Sequence, residues 1–206
     1  SIGTDYDGDA RSAPHDIGAD AFTAAPSTTT PLAGTYTIGS GGTYATFAAA
    51  VNDLLLKGVS AAVTFNVIPD TYLEHFSLTP VPGASGTNTI TFTSQSGNPA
   101  SVTVFYAAAS ASDNYVVHLN GADYVRFRNL SLVSNSVANS TYALVVLLSG
   151  GTEDFRLEGN AITGTVTTGG GANQYLVYGD NALWTSRTIT GSASSSERSK
   201  ASNAMS

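Results

Sequence analysis

The sequence is poor in the residues that supply covalent and ionic chemistry. It contains no cysteine, which excludes a disulfide framework and a thiolate metal site. Charged residues make up only 11% of the chain, against roughly 25% in typical soluble domains, so the charged surface of a helical bundle is missing. With eight basic residues and a net charge of −7, we expect no nucleic-acid partner, because phosphates require a basic surface. No apolar run reaches the ~18 residues of a membrane span, and we expect no membrane insertion.

The chain is rich instead in hydroxyl groups, glycine and short apolar segments. Hydrophobic residues make up 42% of it, and there are 21 glycines. This composition favours a β-rich extracellular protein. The sequence begins at Ser1 with neither an initiator methionine nor a signal peptide, and we interpret it as a mature or excised part of a longer protein.

Four segments of the chain differ in composition. The first holds five of the fifteen acidic residues, and the second is rich in Thr and Pro, as extended linkers are. The third carries the apolar, strand-like segments, and the last is rich in Ser. The predicted segments are an acidic one at 1–22, a linker at 23–35, the main domain at 36–184 and a Ser-rich segment at 185–206.

One short helix is predicted near the start of the main domain. Phe47, Val51 and Leu54 recur at helical spacing, and Gly58 occupies the position at which a helix commonly ends. The pattern therefore predicts an amphipathic helix over about 44–57, with one apolar face to bury.

The rest of the main domain consists of short segments rich in β-branched and aromatic residues, bounded by Gly, Asn, Ser or Pro. Two interleaved series of such segments, with a repeat of about 20–30 residues, predict a solenoid. One series starts near 64, 90, 116, 145 and 175, and the other near 76, 102, 125 and 155. A leucine-rich repeat would need a Leu/Asn consensus that is missing, and a sandwich would lack this register. We predict an all-β fold, a right-handed parallel β-helix of about five coils with the short helix as an N-terminal cap.

Two segments predict a tight corner between strands. Residues 125–132 and 155–162 both have the order strand, Asn, strand, with Asn129 and Asn160 at the centre. Asn tolerates the left-handed backbone of a tight corner, and its amide can bond to the Asn of the next coil. We therefore predict Asn129 and Asn160 as structural corner residues.

Residues 36–160 resemble the pectin-lyase-like β-helix superfamily. Residues 37–51 followed by 63–72 are similar to its opening, which has a glycine turn, a capping helix, a first strand and a Pro-x-Thr-Tyr turn. Further segments resemble the β-helix modules of large secreted Bacteroidetes surface proteins. Those segments are 34–39, 87–92 and 119–130. The resemblance implies the fold and a secreted or bacterial cell-surface location, but little about activity, because one fold hosts many functions.

The two ends of the chain resemble adjoining parts of such a module. Residues 1–22 are similar to its closing segment, and residues 199–206 to the stretch before that segment. Read circularly, the pattern continues from the last residue to the first, which indicates one period of a repeating array. The alternatives to the array are that the C-terminal tail is a chance Ser-rich stretch or that it is a remnant of cloning. The expected partners are copies of the chain, joined head to tail through 1–34 and 185–206, where an acidic start would attract a basic end.

The acidic segment has aspartates on alternate residues of a loop, which is typical of Ca²⁺ sites because this ion prefers hard oxygen ligands. The candidate ligands are Asp5, Asp7, Asp9 and Asp16. Ala10 stands where an EF-hand loop requires Gly, and Arg11 places a positive charge in the loop. The alternative is a structural turn in which the aspartates pair with Arg11. No other cofactor is expected.

Polysaccharide lyases and esterases of the resembled superfamily carry Asp and Arg clusters on one external sheet, which implies a carbohydrate-contacting cluster here. The candidate contacts are Arg126, Arg128 and Arg156. Arg126 and Arg128 alternate with apolar residues and point outward from one strand. Cross-coil ion pairs on a solvated face are the alternative. Because no segment reproduces a complete lyase, hydrolase or esterase motif, we do not favour an enzyme.

Aromatic residues are spread along the main domain. Exposed aromatic rings are suited to stacking on sugars, and the alternative is packing within the coil wall. The candidates are Tyr72, Tyr106, Tyr115, Tyr124, Tyr142, Tyr175, Tyr178 and Trp184. His118 alternates with apolar neighbours and is predicted to lie in the wall of a coil.

These observations favour a structural role. We predict an extracellular module that forms one period of a head-to-tail filament or adhesin stalk built from stacked β-helices. The alternative is a carbohydrate-binding or polysaccharide-degrading β-helix that uses its outer sheet, with a polysaccharide as its partner.

Overall fold

The structure is a computed structural model that describes residues 29–134, 142–164 and 175–179, together with the backbone of the strand at 187–190. Contacts divide the chain into two compact units, Ser1–Thr30 and Pro31–Ser206. All of the described helices and strands lie in the second unit. None of the helices among the described residues is long and apolar enough to cross a membrane.

The described part of the second unit is built almost entirely of short strands. In chain order the elements are β1 (Leu32–Ile38), α1 (Phe47–Lys57), β2 (Val59–Val67), β3 (Asp70–Tyr72), β4 (Phe76–Leu78), β5 (Ile90–Ser94), a 3₁₀ turn (Pro99–Ser101), β6 (Val102–Tyr106), β7 (Val117–Asn120), β8 (Val125–Arg128), β9 (Ser131–Ser134), β10 (Val146–Ser149), β11 (Phe155–Glu158), β12 (Ala161–Thr163), β13 (Val177–Gly179) and β14 (Arg187–Thr190). The first strand begins inside the segment interpreted from the sequence as a linker, 23–35.

The strands form three sheets that run along the axis of a solenoid. Sheet 1 has the order β1-β2-β5-β8-β11-β14, sheet 2 the order β3-β6-β9-β12, and sheet 3 the order β4-β7-β10-β13. Neighbouring strands pair in parallel throughout. Each coil contributes one strand to each sheet, which is the architecture of a parallel β-helix and confirms the predicted fold class.

The described residues form about four coils and not the five that were predicted, and β14 adds one further strand to sheet 1 after the fourth coil. Coil 1 consists of β2–β4, coil 2 of β5–β7, coil 3 of β8–β10 and coil 4 of β11–β13. The strand β1 adds to sheet 1, but α1 follows it where a complete coil would have two further strands. The first two described elements therefore supply a strand and a cap without making a coil.

The two predicted series of strands mix members of three sheets. Residues 64 and 90 lie in sheet 1, whereas residues 116 and 145 lead into strands of sheet 3. The reason is the unequal length of the coils, since the register partners Ile90 and Val125 are further apart in sequence than Val63 and Ile90. A constant step therefore moves from one sheet to another. Of the four strands of sheet 2, only the three-residue β3 was not predicted as a strand.

The helix α1 covers the first coil and has well-defined ends. It begins at Phe47, three residues later than predicted, because the Thr46 side chain accepts a hydrogen bond from the Ala49 amide (3.1 Å) and so acts as the N-cap. The carboxylate of Glu74 accepts hydrogen bonds from two more free amides of the first turn. Gly58 ends the helix with a φ of 67°, as its position in the sequence predicts.

The core contains a column of phenylalanine rings that crosses the coils. Phe65, Phe92 and Phe127 are register partners on successive strands of sheet 1, and their rings stack at 4.8 Å and 5.3 Å. Phe47 of the helix stacks on Phe76 at 5.0 Å and closes the end of this column. All but Phe76 are fully buried, and even Phe76 is only 6% exposed. The helix therefore seals the core at this end of the solenoid.

Candidate functional site

The aspartates proposed as calcium ligands, Asp5, Asp7, Asp9 and Asp16, lie outside the described residues, as does Trp184. Across 29–134, 142–164 and 175–179, no group of three or more His, Asp or Glu side chains could hold a metal ion.

The outer face of sheet 1 brings the three candidate arginines together. We call it the arginine face, and it comprises two rows across the coils. One row is Thr64, Thr91, Arg126 and Arg156, and the other is Asn66, Thr93, Arg128 and Glu158. Arg126 and Arg156 are direct register partners in neighbouring coils, so two positive charges lie side by side.

Carboxylates of the same coils balance part of this charge. Arg128 donates to Glu158 across the coil boundary. Arg156 lies 3.6 Å from Asp154 and 4.0 Å from Glu158, which places it between two acids. Because these arginines are 36–41% exposed, each ion pair contributes little to stability. Their main effect is to hold the side chains along the surface of the sheet.

Arg126 differs from the other two arginines. Its Nε atom is buried and has no hydrogen-bond partner among the described residues. The neighbouring Arg156 carries the same charge, and the pairing acids lie beside Arg156 and Arg128. The arginine face thus holds one guanidinium with unused donor capacity among two that are paired.

Asn129 and Asn160 both lie at the corner between sheet 1 and sheet 2, but they are offset by one residue. Asn129 has a φ of 51°, and the residue that matches it in the next coil is Gly159, with a φ of 63°. Asn160 is buried, accepts a hydrogen bond from the Leu130 amide (3.0 Å) and donates one to the Phe127 carbonyl (2.8 Å). The Asn160 amide therefore bonds to the backbone of the coil before it, and not to another Asn.

A second polar network crosses the outer face of sheet 3. His118 Nε2 lies 2.8 Å from Ser149 Oγ, and His118 Nδ1 lies 3.3 Å from Ser77 Oγ. Ser149 also donates to the Asn120 side-chain oxygen at 3.1 Å. Because the Ser149 proton is directed to Asn120, its oxygen accepts from Nε2–H, and Nδ1 accepts from Ser77. His118 thus links three coils as a neutral imidazole. Little in the sequence indicated this role, since it showed only one polar residue within an apolar strand.

Burial lowers the pKa of His118 from its ordinary value of 6.5. A lowered pKa in the folded state means that the neutral form is favoured, so its contribution to stability is complete above pH 6.5 and is lost as the pH falls below it. We expect the difference in unfolding free energy between the wild type and His118→Gln to shrink between pH 7.5 and pH 5. Urea titrations at several pH values measure this difference, and a constant difference would contradict the assignment.

Partly exposed aromatic rings surround this network. His75 stacks between Tyr106 at 3.8 Å and Tyr115 at 5.0 Å, and Tyr115 in turn contacts His118 at 5.1 Å. Two coils away from Tyr115, Tyr175 and Tyr178 stack on each other at 5.4 Å. Of the other tyrosines considered from the sequence, Tyr72 is buried and donates to the Ile68 carbonyl at 2.7 Å, so it belongs to the packing of the coil. Tyr124 and Tyr142 are partly exposed.

Two further carboxylates, those of Asp113 and Asp123, have structural hydrogen bonds. Asp113 accepts hydrogen bonds from the Ser110 side chain and from the Tyr106 hydroxyl (2.6 and 2.7 Å), and these bonds lower the pKa of Asp113. Asp123 accepts a hydrogen bond from the Glu153 amide in the next coil. These carboxylates therefore close a loop and join two coils.

Comparison with known proteins finds similarity to solved structures only. No protein-family model and no curated protein matches the sequence. Two crystal structures of the pectin methylesterase from Aspergillus niger are similar at 14% identity. The deglycosylated form has a TM-score of 0.44 over 80% of this chain and 60% of the esterase, and the form with an N-acetylglucosamine stub has 0.37 over 79% and 69%. The resemblance to a pectin-lyase-like β-helix, predicted from the sequence, is confirmed at the level of the fold by the three parallel sheets of the chain itself.

Proposed function

We propose that the chain is a structural module of a secreted surface protein and forms one period of a head-to-tail β-helix filament or stalk. One observation carries this proposal: the polar side chains of the described coils mostly bind neighbouring coils or their own backbone. Examples are Asn160 at the corner, His118 on sheet 3 and Arg128 on sheet 1. Side chains used in this way stabilise a rod and are not free for catalysis.

The direction of the hydrogen bonds suits a stiff rod. All of the strand pairs are parallel, so their backbone hydrogen bonds run from coil to coil along the axis. Strand pairing joins each described coil to its direct neighbours, and the core column of rings continues through them. Copies that stack end to end in this way would form a rod whose length increases with the number of copies.

Two exposed leucines at the end of the solenoid that α1 covers support the proposal that another copy packs there. Leu56 is 71% exposed and Leu73 is 74% exposed, and they are the large apolar side chains most exposed among the described residues. Leu56 belongs to the last turn of α1, and Leu73 precedes Glu74, which caps the first turn. A copy stacked on this end would bury both, which is favourable by the hydrophobic effect.

We expect regular rods in negative-stain electron microscopy of the purified chain at near-physiological salt. Replacing the two leucines in Leu56→Glu/Leu73→Glu should shorten or abolish the rods, because charge would be buried in each contact. The matched control is Thr64→Glu, which adds charge to the lateral arginine face and should leave the rods intact. Dispersed monomers of the wild type would contradict the filament proposal.

The same preparation tests the proposed calcium site. If Asp5, Asp7, Asp9 and Asp16 bind Ca²⁺ at the junction of two copies, a chelator disperses the rods and added Ca²⁺ restores them. Rods that persist in the chelator would contradict the calcium site while leaving the filament proposal intact.

The polysaccharide-degrading alternative has weaker support. Arg128 pairs with an acid of the next coil and Arg156 with acids of its own coil, which leaves Arg126 as the arginine with an unpaired buried donor among the described residues. The observations that favour carbohydrate binding lie on another sheet.

A further inference from the structure

The outer faces of the sheets differ in chemistry. The arginine face of sheet 1 carries Arg126, Arg128 and Arg156 together with Glu158. The outward residues of the sheet 3 strands, in contrast, include no Lys, Arg, Asp or Glu in any of the four described coils. Those residues are Ser77, His118, Asn120, Leu147, Ser149 and Tyr178. A ligand bound over these strands therefore meets neutral side chains. A charged group beside the aromatic residues is the carboxylate of Asp113, and burial together with this charge raises the pKa of Tyr115.

Aromatic pairs recur on this face at equivalent positions of different coils. Tyr115 and His118 form one pair in coil 2, and Tyr175 and Tyr178 form another in coil 4. His118, Leu147 and Tyr178 are register partners, so the intervening coil places an apolar side chain between the pairs. Neighbouring strands are about 4.8 Å apart, and the two pairs are thus separated by about 9.6 Å along the axis.

Hydrogen-bonding groups lie beside the aromatic pairs. Asn120 is exposed, and Ser149 is partly exposed beside it in the next coil. Their side chains already orient each other through the bond from Ser149 to Asn120. The face therefore combines aromatic rings, which bind apolar C–H surfaces, with neutral donors and acceptors at fixed positions.

We propose that the outer face of sheet 3 binds a neutral, extended polysaccharide that runs along the axis of the solenoid. Pyranose rings present apolar C–H faces to aromatic side chains and hydroxyl groups to amide and hydroxyl partners. The separation of the two aromatic pairs is close to the length of two sugar units in an extended β-linked chain. The described strands of this face carry no cation, and the Asp113 carboxylate lies near Tyr115; both favour neutral sugars over uronates, since a uronate would need a cationic partner to replace its hydration.

This proposal is independent of the filament. It places the ligand on the side of the rod, so that a filament or a single module would bind it equally. Failure of rod formation and failure of glycan binding are consequently distinct results.

Isothermal titration calorimetry with defined hexasaccharides tests the proposal. The probes are cellohexaose, xylohexaose and mannohexaose as neutral β-linked chains, with hexagalacturonate as the charged comparison. We expect binding of at least one neutral chain and weaker or no binding of hexagalacturonate. Tyr178→Ala and Tyr115→Ala should each weaken that binding about three- to tenfold, while Tyr178→Phe should retain it because the ring is kept.

Arg126→Ala is the control on the arginine face of sheet 1, and it should leave the binding of neutral sugars to sheet 3 unchanged. Circular dichroism and thermal melts establish that each variant remains folded. The proposal is overturned if none of the neutral probes binds, if both tyrosine variants bind as the wild type does, or if hexagalacturonate binds best and Arg126→Ala abolishes its binding.

Discussion

Phe92→Ala should lower the free energy of unfolding by about 3–5 kcal/mol, which is the usual cost of deleting a buried phenylalanine ring. The ring of Phe92 is completely buried and stacks between Phe65 and Phe127. It also contacts Phe47 of the capping helix at 6.1 Å and Phe76 at 6.0 Å. Its removal opens a cavity where two sheets and the helix meet, and parallel coils cannot collapse to fill it without breaking their register.

Phe105→Ala is the matched control for this prediction. Phe105 lies in the same coil, on β6 of sheet 2, and is partly exposed. Its truncation should cost less than that of Phe92, because part of the Phe105 ring is already exposed to solvent and no other ring of the column packs on it. Equilibrium urea unfolding, followed by circular dichroism, measures both variants. Equal losses in the two variants would contradict the column of rings as the centre of the core.

Asn160→Ala should lower the free energy of unfolding by about 2–4 kcal/mol. The substitution removes both partners of the buried amide, the N–H of Leu130 and the carbonyl of Phe127. Each of these backbone groups would then be left without a hydrogen bond, at a cost of about 1–3 kcal/mol for one unsatisfied group. Bulk solvent does not reach these two backbone groups in the folded chain, since Asn160 is only 4% exposed.

We expect a different result for Asn129, because its role is to adopt the left-handed backbone conformation of the corner. Asn129→Gly should be nearly neutral, since Gly159 occupies the matching position of the next coil with the same left-handed backbone. Asn129→Ala should cost about 1–2 kcal/mol, because alanine is disfavoured at a φ of 51°. The ranking is tested by urea unfolding of the three variants. A larger loss for Asn129→Ala than for Asn160→Ala would show that the two roles had been exchanged.

The sequence alone predicts the fold class because strand chemistry is local. Alternating apolar residues, as in Val125 to Arg128, indicate a half-buried strand, and their repetition indicates coils. The helix and its end at Gly58 were predicted for the same reason, since helical spacing and a C-terminal glycine are properties of a short segment. The exact start of the helix was not, because Tyr44 pairs with Ile38 in an isolated bridge and Thr46 then caps the helix, and neither contact can be read from helical spacing.

The register of the strands, by contrast, depends on contacts between residues of different coils. The sequence contains Asn129 and Asn160, but only the paired strands reveal that Asn160 bonds to the backbone of the preceding coil. The position of Arg156 beside Arg126 was one of several arrangements that the sequence allowed. A shift of one residue would turn each of these side chains to the opposite face.

The sequence by itself determined a parallel solenoid with few charged residues, no cysteine and an N-terminal helical cap. The tertiary structure decided the number of coils, the assignment of strands to three sheets, and the separation of the arginine face of sheet 1 from the aromatic face of sheet 3, whose described strands carry no charged side chain. The physical reason is that propensity and periodicity act within a few residues, whereas the loops between strands differ in length. Those loops set which strands become neighbours, and the neighbours in turn determine which side chains meet, as His118 meets Ser77 and Ser149.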